Sequence, residues 1–366
     1  MTINTLKFFR YIWIYGLTRT IVKAIGRLNI YFPLWIFTYI KIPHNNKKNV
    51  AIIGCGQFSF STITFFLSQS NKVSIKWCSD QSMEAARLLS KSYGIKKIYN
   101  KDEINYDNID TVYIATNHSS HCEYAINSLE ANCHVYVEKP LVTSWDQFEK
   151  LKKAKEQAKK NIFVGYNRPF SPGIKKIRKL IEDYEQPFTL SCFISGHYLD
   201  KNHWYRNSDE GTRVCGNIGH WLDLAIHILF WRKSIVSYID ISISYSDINM
   251  PSDNISISLT TSNNDLINIV FSTRSEPFEG VGETINFQQD KLIAKIDDHR
   301  QITIWQEEKK STYRKRVKNV GHKNAIMQPF TKKNRRQWEE LNISTNLMLT
   351  VTDMVKNNSK FYKFHL

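Results

Sequence analysis

The first 48 residues of this 366-residue chain lack a stretch long and apolar enough to cross a bilayer. Within those residues the longest charge-free run, Leu28 to Ile40, has 13 residues and is interrupted by Pro33, whereas a spanning helix needs about 20. Cysteine is sparse. Cys55, Cys78, Cys122, Cys133, Cys192 and Cys215 form no C-x-x-C pair and follow no regular spacing, so a disulfide framework is not expected and the thiols read as reduced, in a cytoplasmic protein. Internal repeats and low-complexity tracts do not occur. Acidic residues are outnumbered, 34 Asp and Glu against 50 Lys and Arg, leaving a net charge of +16. Much of the excess lies in Lys309-Lys310, Arg314-Lys315-Arg316, Lys332-Lys333 and Arg335-Arg336. Such a surface attracts phosphates, anionic lipid or nucleic acid, and it is equally what a solvated basic face looks like. No nucleic-acid recognition motif accompanies the charge, so no nucleic-acid partner is expected. A hydrophobic content of 42% argues against global disorder, and the length suits two domains.

Residues 1–48 do not resemble the start of a compact domain. Leu6, Trp13, Leu17, Ile21, Ala24 and Leu28 fall at helical spacing on one face, with Arg19, Lys23 and Arg27 opposite and Arg10 breaking the pattern. Two readings stand. The segment is an amphipathic helix lying on an anionic membrane, with contact through residues 1–42, or a helix docking on its own protein or across a dimer. A cleaved signal peptide fits poorly, because Arg19 cuts the apolar region short and no small-x-small cleavage site follows. Residues 43–48 form a polar linker.

From Asn49 the pattern changes. Asn49 to Ile53 is a short apolar strand, and Gly54-Cys55-Gly56 turns the chain into helical spacing over Ser61 to Ser68. Such glycines let the backbone approach a pyrophosphate, whose charge meets a helix N-terminus. Ser59 replaces the third glycine of G-x-G-x-x-G and is small enough for the helix to pack close. A second strand, Val73 to Cys78, ends in Ser79-Asp80. A carboxylate there suits the ribose hydroxyls of adenosine and repels a 2′-phosphate, so NAD is expected rather than NADP. The same Asp80 also suits capping of a helix over Ser82 to Lys91. A third strand, Asp110 to Thr116, runs into Asn117, His118, His121 and Cys122. These could hold zinc or open a helix that faces the cofactor; no matching ligand pair exists elsewhere, and no metal is expected. Strand His134 to Glu138 brings Lys139-Pro140 to a sheet edge where ligands bind. Helix Asp146 to Lys160 and strand Ile162 to Gly165 complete the alternation of a doubly wound parallel sheet.

Three blocks resemble the Gfo/Idh/MocA oxidoreductases, named after glucose–fructose oxidoreductase and inositol dehydrogenase. They are Gly54-Cys55-Gly56; Ala115-Thr116-Asn117 with His121 and Glu138-Lys139-Pro140; and Gly165-Tyr166-Asn167-Arg168-Pro169-Phe170-Ser171-Pro172. A subgroup pattern continues through His203-Trp204, Gly211-Thr212-Arg213 and His220-Trp221-Leu222-Asp223-Leu224, so the match runs over roughly 49–360. The resemblance implies an N-terminal Rossmann sheet (49–165) and a C-terminal α+β domain (166–366) with a mostly antiparallel open sheet that forms a substrate wall and an oligomer contact. It implies an NAD cofactor held by Gly54, Gly56, Gln57, Phe58, Asp80, Ala115, Thr116, Asn117, His121, Glu138, Lys139, Pro140, Asn167 and Arg168. Substrate contacts map to Tyr166, Arg168, Trp204, Arg213, Asn217 and His220. Lys139 contacts the nicotinamide ribose and the reacting oxygen, and His220 is the general acid/base. Where many relatives carry an aspartate four residues before that histidine, this chain has Gly216; Asp223, a helical turn on, could orient His220 or simply sit on its helix.

Imidazole titrates near neutrality and can take the proton that accompanies hydride loss. The expected activity is NAD-dependent oxidation or reduction of a small sugar, nucleotide- or lipid-linked, in surface polysaccharide synthesis, by a homo-oligomer at the inner face of the membrane. Arg168, Arg206 and Arg213 are candidate phosphate or carboxylate contacts. The alternative is a non-catalytic dinucleotide-binding scaffold or regulator on the same fold.

Overall fold

Gly16 breaks the N-terminal segment. Its φ of 80° ends α1 (Ile3–Tyr15) and starts α2 (Leu17–Leu28), so the single helix expected over this stretch is two. The computed structural model describes residues 3–35, 47–277, 280–332 and 335–366. The expectations for 36–46, which hold the end of the aromatic stretch and most of the linker, lie outside the described residues. Among the described residues no helix is long and apolar enough to cross a membrane. The chain divides into two compact units. One comprises Gly16–Gly165 with His322–Trp338, the other Met1–Tyr15, Tyr166–Gly321 and Glu339–Leu366.

The first unit carries β1 (Lys48–Ile53), α3 (Thr64–Ser68), β2 (Val73–Ser79), α4 (Met83–Tyr93), β3 (Lys97–Tyr99), β4 (Thr111–Ile114), α5 (His121–Glu130), β5 (His134–Val137), α6 (Trp145–Gln157) and β6 (Ile162–Val164). The sheet order is β3-β2-β1-β4-β5-β6, all parallel, the doubly wound arrangement whose carboxyl-edge crevice takes dinucleotides. Val50 to Ile53, Thr111 to Ile114 and Ile162 to Val164 are buried throughout, as strands covered on both faces must be.

Helix α2 docks on this unit. Val22 and Thr20 are buried, and a Cβ on Gly26 would lie 2.8 Å from the Phe60 ring. Arg19, expected on an outward cationic face, instead donates to the Ser61 carbonyl and to Thr62 Oγ1, and sits over the Phe65 and Phe66 rings at 5.0 and 4.7 Å. Carbonyl acceptors and π faces together satisfy a guanidinium on an otherwise apolar contact. The segment His322–Trp338, expected within the C-terminal domain, returns to this unit. Tyr113 Oη donates to Ile326 O at 2.6 Å and Gln328 Nε2 to Val164 O at 3.3 Å.

The second unit holds α7 (Pro172–Leu180), β7 (Phe188–Ser195), α8 (Gly219–Leu229), β8 (Tyr238–Tyr245), β9 (Asn254–Thr261), β10 (Leu266–Ser272), β11 (Gly282–Gln289), β12 (Leu292–Asp297), β13 (Gln301–Gln306), β14 (Lys309–Arg314) and β15 (Phe361–His365). The short α9 (His322–Ile326) belongs to the first unit, while α10 (Trp338–Lys356) lies almost wholly in the second. The nine strands run β14-β13-β12-β11-β7-β10-β9-β8-β15, antiparallel except for the β7/β10 pair. Alternation buries one face, as in Leu190, Cys192 and Ile194 of β7 or Ile285 and Phe287 of β11. Helices α7 and α8 cover that face: Trp221 and Trp231 of the α8 region reach Phe271 and Phe287 at 6.3 Å each.

Candidate active site

In the first unit, Gly54 adopts φ 91°, and a Cβ there would strike the Ala115 carbonyl oxygen at 2.3 Å. Only glycine lets β1 turn this close to the end of β4. A Cβ on Gly56, by contrast, would meet nothing within 4 Å, and Gly56, Gln57 and Phe58 are exposed. The turn therefore presents open backbone where a pyrophosphate is expected. Ser59 is buried, as a stand-in for the third glycine requires, although the helix begins as a π-turn over Ser59–Ile63.

Asp80 holds two backbone groups. Its Oδ2 accepts from Cys55 N–H at 2.6 Å and its Oδ1 from Ser82 N–H at 2.7 Å. The helix cap proper is Ser82, whose Oγ accepts from Ala85 N–H at 3.3 Å. Asp80 thus braces the glycine turn from the end of β2, and each carboxylate oxygen keeps lone pairs for further donors.

Beyond β4, Ala115 and Thr116 are partly buried and Asn117 is exposed. His121 is fully enclosed: Nδ1 lies 2.7 Å from Pro140 O and Nε2 3.2 Å from Thr116 O. Burial brings its pKa down to about 4, so the ring is neutral at pH 7 and donates to one of the two carbonyls. It ties the Thr116 loop to the Lys139-Pro140 turn. Its neighbour Cys122 points to Gln147 O at 3.1 Å. Among the described residues no cluster of three His, Cys, Asp or Glu could hold a metal.

Glu138 lies beneath Lys139. Its Oε1 accepts from Tyr136 Oη at 3.0 Å and its Oε2 from Lys139 N–H at 3.3 Å. A Cβ on Gly165 would sit 2.4 Å from Oε1, so β6 needs a glycine there to admit the carboxylate. Burial, only partly offset by Lys139, Tyr136 and the Lys139 N–H, pushes the Glu138 pKa up to about 7. A folded pKa raised above the unfolded value stabilises the protein below about pH 4, where both states are protonated, and that contribution is lost as pH rises through 7. Glu138→Gln should therefore flatten the decline of Tm between pH 5 and 8, by up to about 3 kcal/mol in stability. Thermal unfolding at several pH values checks this; an unchanged slope sinks it.

In the second unit, His220 opens α8 with its ring edge-on to Tyr166 at 5.8 Å and to Trp221 at 5.9 Å. Tyr166 is 1% exposed and its hydroxyl donates to Met348 Sδ at 3.4 Å. Asn217 Oδ1 is buried with no donor to it among the described residues. Asp223 is fully buried and accepts from Ser344 Oγ of α10 at 2.7 Å.

The arginines differ from expectation. Arg168 Nη2 and Nε reach Glu283 Oε1 and Oε2 at 3.1 and 3.3 Å, Nη1 donates to Asn167 Oδ1 at 2.9 Å, and the guanidinium lies 4.7 Å over Trp221. Asn167, fully buried, donates to Val320 O at 3.0 Å. Arg213, 1% exposed, donates to Asp253 Oδ1 at 3.3 Å and to His197 O at 2.6 Å. Arg206 donates to Asp253 Oδ2 at 2.9 Å and to the Leu199 and Asp200 carbonyls. These three cations are engaged with carboxylates and loop carbonyls and brace the 197–206 loop and the start of α8. A buried guanidinium must be matched inside the fold, so its charge is largely spent there. Trp204, 39% exposed, packs edge-on against Tyr205 at 4.3 Å with His203 stacked at 6.0 Å.

Glu283 is the hub that the motifs did not reveal. Besides Arg168 it accepts from Trp221 Nε1 at 3.0 Å, and His299 Nε2 lies 3.4 Å away without hydrogen-bond alignment. Burial alone would push its pKa up, but Arg168, with His299 and Lys318, outweighs burial and holds it well below the usual carboxylate range. The available signal was a glutamate at an inward position of an alternating strand, in register with Ile285 and Phe287.

A doubly wound parallel sheet with an open glycine turn and a braced carboxylate after β2 is the architecture of a dinucleotide-binding fold, with Lys139 at the carboxyl end of β5. Residues 48–166 match the oxidoreductase family with an NAD-binding Rossmann fold known as GFO_IDH_MocA. That region of the chain is thus similar to the Gfo/Idh/MocA family, whose model describes an NAD-binding Rossmann fold. The chain is similar to myo-inositol 2-dehydrogenase of Thermotoga maritima, 27% identical over 107 residues, covering 29% of this chain and 32% of that protein. It is also similar to glucose-6-phosphate 3-dehydrogenase of Bacillus subtilis, 25% identical over 188 residues, covering 50% and 52%. The chain thus spans about a third to a half of the length of these relatives. The fold is that of GenD2 from gentamicin A biosynthesis, solved with NAD, at a TM-score of 0.69 and 16% identity over 88% of this chain and 97% of that one.

Proposed function

We propose that this protein is an NAD-dependent oxidoreductase that moves hydride to or from a secondary alcohol or ketone of a sugar. The observation that carries the reading is the first unit's carboxyl edge: an open Gly56, the Asp80 carboxylate braced against the turn, and Lys139 seated on the buried Glu138. Bound NAD would supply the hydride acceptor. The Gly54–Phe58 backbone holds the pyrophosphate, and Asp80 accepts ribose hydroxyls and disfavours a 2′-phosphate. Lys139 polarises the reacting oxygen, and the His220 imidazole takes or returns its proton. Asn217 Oδ1 offers a buried acceptor to a substrate hydroxyl. Trp204 offers an apolar face to a pyranose ring, and Tyr166 keeps the His220 ring in place.

The relatives named above act on a cyclitol and on a phosphorylated sugar, which supports a polyol or sugar substrate. The basic surface supports one carrying phosphate, a nucleotide- or lipid-linked sugar of surface polysaccharide synthesis. A homo-oligomer working in the cytoplasm completes the proposal.

Calorimetric titration with NADH and NADPH tests it. NADH is expected to bind at least about tenfold more tightly than NADPH, since a carboxylate facing a phosphate costs more than one kcal/mol. Gly56→Trp should abolish binding with an unchanged circular dichroism spectrum, because the side chain enters open space. Failure of the wild-type protein to bind either nucleotide would overturn the reading.

A further inference from the structure

Helix α1 belongs to the second unit and is only half used by it. Ile14 is buried, and its carbonyl accepts from Lys318 N–H at 2.8 Å. That bond fastens the end of the helix to the segment following β14. On the outward side, Leu6, Phe9 and Trp13 fall at i, i+3 and i+7 and are 46, 57 and 57% exposed. Three large apolar side chains on one open stripe are an expensive thing to leave in water.

The segment to which α1 is tied is cationic. β14 is the edge strand of the sheet, and Lys309, Lys310, Arg314, Lys315 and Arg316 are all exposed. The Arg316 guanidinium lies 4.6 Å from the Trp13 ring. An apolar, tryptophan-bearing stripe with Arg316 against its tryptophan and further exposed cations on the strand leading to it matches the boundary of an anionic bilayer. The rings enter the headgroup level, and the arginines and lysines meet lipid phosphates. The pattern fits a protein partner less well, because interface cores are depleted in lysine and the exposed cations of β14 and the residues after it, which lead to Arg316 beside Trp13, would need an equally acidic counterpart.

We propose that α1 and the Lys309–Arg316 segment together form a docking surface for an anionic membrane, entered by Leu6, Phe9 and Trp13. The helix lies in the interface; at 13 residues it is too short to span the bilayer, which takes about 20. This surface differs from the continuous stripe legible in the sequence, since Gly16 ends the helix and α2 is docked through Arg19, Val22 and Gly26. The proposal does not depend on the hydride-transfer reading.

The test is co-sedimentation of the full chain with vesicles of phosphatidylcholine alone or with about a third phosphatidylglycerol. The wild-type protein should sediment with the anionic vesicles and much less with the neutral ones. Phe9→Ser with Trp13→Ser should weaken that binding at least about tenfold. Arg314→Gln, Lys315→Gln and Arg316→Gln together should do the same while flattening its salt dependence. Both variants should keep NADH affinity and thermal midpoint. Absence of sedimentation with either vesicle overturns the proposal. So does binding that survives Phe9→Ser/Trp13→Ser, which reports net charge alone. A fall in molecular mass of that variant by light scattering would overturn it too, since the stripe would then be a contact between copies.

Discussion

Lys139→Ala should lower kcat by about 10³-fold while changing NADH affinity less than about tenfold. The size follows from what a positioned proton donor contributes, roughly 10² to 10⁴, with the loss of a cation beside a developing alkoxide added. The separation of the two effects follows from where the residue sits. The pyrophosphate turn is built from Gly54 and Gly56 and braced by Asp80, and neither contact involves the lysine side chain. Lys139 is held instead by its own backbone, whose N–H donates to Glu138 at 3.3 Å, and by the Pro140 carbonyl that His121 engages. Truncating the side chain leaves this frame in place. The measurement is steady-state turnover on the first nucleotide sugar that gives hydride transfer, beside calorimetric NADH binding. A variant that keeps most of its rate would show that the reacting oxygen is polarised elsewhere, and joint loss of rate and NADH binding would make Lys139 a cofactor anchor.

How far the sequence discloses this site depends on the range over which each contact acts. The Gly54-Cys55-Gly56 turn, the strand that ends at Asp80 and the Glu138-Lys139-Pro140 edge are local patterns, dictated by backbone reach and strand periodicity within about twenty residues, and they are legible. The arrangement of the first sheet follows from alternating strands and helices. In the second unit, β7 to β13 announce themselves by alternation, whereas β14, written Lys-Lys-Ser-Thr-Tyr-Arg, has an almost fully exposed pattern and carries no period to read. The arginines mislead for a related reason. Arg168 is separated from Glu283 by 115 residues and Arg213 from Asp253 by 40, so nothing near them announces that their charge is matched internally. The N-terminal stripe fails at one residue, Gly16, where a positive φ ends the helix and lets α2 turn Arg19 inward. His322–Trp338 joins the first unit through hydrogen bonds from Tyr113 and Gln328 and through Ile326 and Phe330 packed on its core, contacts between residues more than 150 positions apart that no local pattern announces.

Glu283→Ala should be the most destabilising single change in the second unit, costing about 3–5 kcal/mol, because it leaves the buried Arg168 guanidinium without its counter-charge and strips the acceptor from Trp221 Nε1. Removing both ends of the pair is less harmful than removing one: Arg168→Met with Glu283→Leu should recover much of the loss, since an apolar pair of similar volume desolvates no charge. The pH dependence has a definite sign. With its folded pKa held well below the usual range, Glu283 contributes stability that is fully present above the unfolded value of about 4.3 and lost as pH falls toward the folded one. Glu283→Gln should therefore lack part of the wild-type loss of stability below pH 4. Native-state hydrogen exchange along β11 and α8 reads this unit by itself, without assuming that the two units unfold together. The network also reaches the proposed base: Trp221, fixed by Glu283 and capped by Arg168, is the next residue after His220, whose ring it flanks at 5.9 Å. Glu283→Gln, which keeps the shape and one acceptor, should thus lower kcat more than it raises KM, because it loosens a positioned imidazole and leaves the substrate contacts intact. An unchanged kcat alongside the expected loss of exchange protection would confine Glu283 to holding the sheet.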